Sequence, residues 1–158
     1  MKWRDLLADW GVAKLQLSAG FLDLEFAPTD HERRAAWDLY VELATRISTQ
    51  AIDDAEGVDA AALSSLHALF GVTRGVLKQY GPSAHNFARV AVAVLNQVLR
   101  PFLTRWHGRL DDKAQLPPAH RAAFRAELRE VQKQLTGNYV CVLAALADVQ
   151  ALQAEEPR

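Results

Sequence analysis

Phe87, Val90, Val94, Val98 and Phe102 fall on one helical phase, with Ala91, Leu95, Leu99 and Trp106 beside them. Apolar side chains over so wide an arc predict a helix over about 83–107 that is central and largely buried. A central helix needs partners with matching stripes, and the chain supplies three. Trp37, Tyr40, Val41, Ala44, Ile47 and Ala51 mark a helix over about 30–52, and Leu63, Leu66, Phe70, Leu77 and Tyr80 mark one over 59–80. Phe124, Leu128, Val131, Leu135, Tyr139, Val142, Leu146 and Val149 mark the last, over 117–153. Four long helices with short connections predict a mainly α fold, an antiparallel four-helix bundle filling 1–153 as one domain, with 154–158 a frayed tail. Trp37, Phe70, Val94, Val98, Phe102, Leu128 and Leu135 are the expected core.

The punctuation between these stretches supports the same reading. Trp3, Leu6, Leu7 and Trp10 predict a short helix over 2–10, closed by Gly11. Polar and apolar residues then alternate through 14–26 around Ala19-Gly20, which predicts a β-hairpin with one buried face. A lone hairpin is marginal in water, so Leu15, Leu17, Leu22, Leu24 and Phe26 should lie on helices, a partner or a second copy of the chain. Thr29 and Glu32 form a capping-box pattern, Asp59 suits a helix cap, and Gly81-Pro82 ends the second long helix. Gly71 and Gly75 share a face and predict close approach of another helix. Pro101 strands the Gln97 carbonyl and predicts a kink.

Charge and composition exclude several classes of function. The chain of 158 residues carries 18 basic and 19 acidic side chains for a net charge of −1, so no global field draws it to nucleic acid or an anionic membrane. The single cysteine, Cys141, sits among Val140, Val142 and Leu143 and reads as a buried thiol in a reducing compartment. No signal peptide is evident, and no run approaches the ~20 apolar residues of a membrane span, which predicts a cytoplasmic protein. Paired Glu-x-x-His motifs, a phosphate loop, a Gly-x-Ser-x-Gly elbow and a dinucleotide fingerprint are all missing, so no metal and no cofactor is expected.

Three groups of residues remain as candidates. Around the turn between the last two helices lie Arg100, Arg105, Trp106, His107, His120, Arg121 and Arg125. Cations at a helix C-terminus follow the macrodipole, but His120, Arg121 and Arg125 open a helix and require a compensating anion, either Asp111 and Asp112 or an external ligand. Trp37, Tyr40, Glu42, Arg46, Arg74 and Asn96 form a polar and aromatic set where helices meet, in which Glu42 is expected to lock to Arg46 or Arg100. Trp3 and Trp10, with the hairpin face, form a candidate interface.

Two resemblances bear on function. Arg100 and His107, with six residues between them, resemble the Arg-(four to six residues)-His motif of HEPN ribonucleases, with Pro101 in place of the polar residue that often follows the arginine. That likeness implies a helical bundle in which Arg100 and His107, contributed by two protomers, cleave RNA without metal. The expected hairpin Leu15–Phe26 and the runs Ala35–Ile47, Leu69–Arg74 and Val94–His107 together resemble a group of bacterial helical proteins that occurs with phage-defence components. This second likeness implies a component of a larger system. The expected function is a non-enzymatic adaptor or regulatory subunit that contacts another protein or a second copy, with a metal-independent ribonuclease or an anion-binding module as alternatives; nucleic acid and membrane are not expected partners.

Overall fold

The computed structural model describes residues 1–46, 59–110 and 116–149, and 82% of them are helical. Ile47, Ala51, the loop 53–57, Asp111 and Asp112, and the tail 154–158 lie outside the described residues. The elements are α1 (Trp3–Asp9), α2 (Ala19–Leu22), α3 (Asp30–Ala44), α4 (Asp59–Tyr80), α5 (His85–Val94), α6 (Arg100–Leu110), α7 (Pro118–Lys133) and α8 (Val140–Ala147). A 3-10 turn, Gly81–Ala84, joins α4 to α5, and π-turns join α5 to α6 (Leu95–Leu99) and α7 to α8 (Gln134–Tyr139). α3 packs on α8, α4 and α5, while α6 packs on α4 and α7. Phe87, Val94, Phe102, Trp106, Phe124, Leu128, Leu135 and Val142 are buried between them.

Local chemistry fixes the helix ends. Thr29 Oγ1 accepts from the Glu32 N–H and Glu32 accepts from the Thr29 N–H, completing the expected capping box of α3. Gly81, at φ 61°, supplies the left-handed turn that reverses the chain after α4. Gly11, at φ 72°, does the same after α1, where a Cβ would stand 3.2 Å from the Asn138 side chain.

The first π-turn explains the wide apolar arc of the third long helix. The Arg100 N–H donates to the Leu95 carbonyl, five residues back, so one extra residue enters the coil immediately before Pro101. Buried positions run through Phe87, Val90, Ala91 and Val94 before the turn, then resume at Leu99, Phe102, Leu103 and Trp106, one residue out of phase. The broad stripe in the sequence is therefore two narrower stripes, slipped against each other.

The hairpin does not form: there is no strand among the described residues. Ala19–Leu22 is instead a helical turn, and Phe21 is buried against Trp3 with ring centroids 4.9 Å apart. The alternating residues found other satisfaction. The Trp3 N–H donates to the Leu24 carbonyl and the Phe26 N–H to the Met1 carbonyl, so 24–26 pairs with the N-terminus through the isolated antiparallel bridge Lys2–Glu25. At Gln16 the backbone is held by a side chain: its N–H donates to Gln97 Oε1 at 2.7 Å and its carbonyl accepts from Gln97 Nε2 at 2.9 Å.

Two further expectations are corrected. Trp37 is 43% exposed and lies flat on Tyr40, ring centroids 5.6 Å apart, and Phe70 and Val98 are half-buried. A Cβ on Gly71 or Gly75 would meet nothing within 4 Å, so neither glycine permits close helix packing. The helical run Asp59–Leu110 does contain a window long and apolar enough to cross a membrane by length and composition, 33% of it buried within the protein.

Candidate functional site

Arg100 and His107 line one cleft, and that cleft lies between α4 and α6. Across from them stand His67, Phe70, Gly71 and Arg74, with Leu103 and Thr104 completing the wall of a space of about 530 Å³. Residues seven apart on a helix share a face two turns along it. His67 and Arg74 have that spacing on α4, and Arg100 and His107 have it in reverse order on α6. Since the chain reverses at Gly81–Ala84, the two histidines meet at one end of the cleft and the arginines line the other. The His67 and His107 rings stack at 28° with centroids 6.2 Å apart, and His67 lies 6.1 Å from Phe70. The Arg100 guanidinium sits 5.1 Å above the Phe70 ring, and its Nε donates to Asn96 Oδ1 at 3.0 Å. Among the described residues, no carboxylate lines the cleft and neither arginine forms an ion pair.

The other members of the basic group are engaged elsewhere. Arg105 pairs with Glu127 at 2.8 Å, and Trp106 Nε1 donates to the same carboxylate at 2.9 Å. Trp106 is buried edge-on to Phe124, and Arg109 covers its ring at 4.9 Å. Burial raises the Glu127 carboxyl, but the bonds from Trp106 and Arg105 and the charges of Arg105 and Arg109 outweigh it and hold the group below the usual glutamate range. Arg125 is buried against the fully buried Asp59, with bonds of 2.8 and 2.9 Å, and Arg121 lies 3.6 Å from the same carboxylate. The compensating anion for the first turns of α7 is thus Asp59, which also accepts from the Leu116 N–H at 3.1 Å. His120 is exposed near the start of α7, where its N–H donates to the Pro117 carbonyl.

The polar and aromatic set is not one cluster. Trp37 and Tyr40 stack on α3, Glu42 pairs with Arg46 at 2.9 Å on the same helix, and Arg74 and Asn96 belong to the neighbourhood of Arg100. Of the candidate interface, Trp3 and Leu15 are buried, while Leu17, Leu22 and Phe26 are half-buried against the core. Trp10 at 40% and Leu24 at 48% are the members left exposed.

A second cleft, of about 410 Å³, opens where both π-turns meet the segment after α1, and Lys14, Val98, Lys133 and Tyr139 are among its walls. The buried Tyr139 hydroxyl has no hydrogen-bond partner among the described residues, and burial raises it far above the ordinary tyrosine range, so it stays neutral.

Among known proteins, no family model, no curated protein and no solved structure matches the chain. His67 and Phe70 were not among the sequence candidates. The signal for them is the mirrored pair of spacings, His-(six residues)-Arg in α4 and Arg-(six residues)-His in α6.

Proposed function

We propose that the chain is a non-enzymatic helical subunit, built as an antiparallel four-helix bundle, that binds an anionic group of its partner in the α4–α6 cleft. The observation that carries this reading is the convergence of Arg74, Arg100, His67 and His107 on one cleft with no facing carboxylate among the described residues. Guanidinium forks match phosphate and carboxylate geometry, and cations left without an internal counter-charge favour an external one. Seven of the nine residues lining the cleft come from Leu69–Arg74 and Val94–His107, two of the segments that carry the resemblance to bacterial defence-associated proteins. In such a cytoplasmic system the partner is another subunit or a second copy presenting an acidic or phosphorylated group. The adaptor reading no longer rests on hairpin edges, since the segment 14–26 is packed on the helices.

Titration with inorganic phosphate and pyrophosphate, followed through the histidine ring signals by NMR, tests the reading. Saturable shifts at His67 and His107 that vanish in the Arg74→Gln/Arg100→Gln double variant are expected. Wild-type signals that stay still at every concentration overturn it.

Arg100 and His107 in the same cleft also favour a second reading, metal-independent RNA cleavage. There the guanidinium would stabilise the pentavalent phosphate and the imidazole would move the proton. Cleavage of single-stranded RNA in EDTA, lost in His107→Ala, would establish it in place of the non-enzymatic one.

A further inference from the structure

We infer that the α4–α6 cleft is built for a nucleoside monophosphate, with the phosphate at Arg74 and Arg100 and the base against the His67 and His107 rings. This rests on the anion-binding reading above and adds the second half of the ligand. The cleft has two chemically different ends. From His67 to Arg74, and from Arg100 to His107, is seven residues on each wall, about 10.5 Å of helix rise. A bare phosphate or sulfate would occupy the guanidinium end alone and leave the other end empty. The imidazole end offers planar faces: His67 and His107 are both exposed and already stacked on each other, and His67 continues towards Phe70. Flat aromatic surfaces beside a cationic groove are what bases stack on in sequence-tolerant nucleic-acid sites, and histidine rings serve in this way.

The middle of the cleft fits the connecting sugar. Gly71 lies between the two ends and lines the space, and a Cβ there would meet nothing within 4 Å, so the floor is open where the ribose would pass. Thr104 on the opposite wall places a hydroxyl-bearing side chain at the same level, a donor and acceptor of the kind that pairs with sugar hydroxyls. The cleft's volume of about 530 Å³ lies within the ~300–1,000 Å³ of small-molecule sites.

Calorimetric titration of the full chain with AMP, ribose 5-phosphate, inorganic phosphate and adenosine separates the two ideas. AMP is expected to bind on the order of tenfold or more tighter than ribose 5-phosphate or phosphate, the margin that one stacked base supplies. Arg74→Gln/Arg100→Gln should weaken AMP and phosphate together, whereas His67→Ala should abolish the preference for AMP over ribose 5-phosphate. Circular dichroism on each variant checks that the helices remain. If ribose 5-phosphate or phosphate binds as tightly as AMP, the base site is refuted while the anion site stands. Should none of the four bind, both fall together.

Discussion

Glu32, in the first turn of α3, accepts a 2.8 Å hydrogen bond from the backbone N–H of Asn86, 54 residues away in the first turn of α5. Its other oxygen accepts from the Thr29 N–H at 2.9 Å, so one carboxylate satisfies the N-termini of two helices while almost wholly buried. Glu32→Ala removes both caps and is expected to cost about 2–4 kcal/mol in urea unfolding. A loss no larger than that of an exposed glutamate on the same helix would contradict this role.

Asp59 and Arg125 tie α4 to α7 in the same manner, but with a full ion pair out of contact with water. Breaking a buried pair from one side leaves the other charge stranded, so Asp59→Ala should lose about 3–5 kcal/mol. Since Leu116 and Arg121 share that carboxylate, exchange of the Leu116 amide hydrogen should accelerate in the variant.

Glu127 gives the fold an acid-sensitive contact. Its folded-state pKa lies below the unfolded one, so the contribution is whole above about pH 4.5 and is lost as pH falls through the folded value. Melting temperatures of wild type and Glu127→Gln between pH 7 and pH 3 should converge at the acid end. Curves that stay parallel would show that Trp106 and Arg105 do not depend on the carboxylate.

Gly75 lies inside α4 with room for a methyl group on every side. Gly75→Ala is expected to stabilise the protein by about 0.5–1 kcal/mol through helix propensity and reduced freedom of the unfolded chain. Destabilisation in thermal unfolding would mean that the glycine backbone serves a contact the described residues do not reveal.

Helix existence was legible because the stripes and caps are local: Thr29 with Glu32, Gly81 before Pro82, and the periodic leucines each act within a few residues. The segment 14–26 was misread because alternation records only which side chains seek burial. Phe21 and Leu15 reached the helices without strand pairing, and Gln97 took the hydrogen bonds that a neighbouring strand would have supplied to Gln16. Trp37 was misplaced because an aromatic on a helical stripe can stack beside the core rather than enter it, as it does on Tyr40. Arg100 and His107 were visible as a pair, yet half their cleft comes from α4, and no pattern within one helix announces what a second helix brings. Asp59 was visible only as a cap because its arginine partner lies 66 residues away.

The extra residue in Leu95–Leu99 works as a phase adjuster for everything that follows it. Ordinary α-helical winding across those five positions would turn α6 by about 100° about its axis, the angle of one residue. Such a turn would carry Phe102 and Trp106 away from Phe124 and swing Arg100 and His107 off the face they share with His67 and Arg74. Core and cleft are thus set by the same single-residue offset, and rewinding those five residues as ordinary α-helix would dismantle both without altering any side chain that lines them.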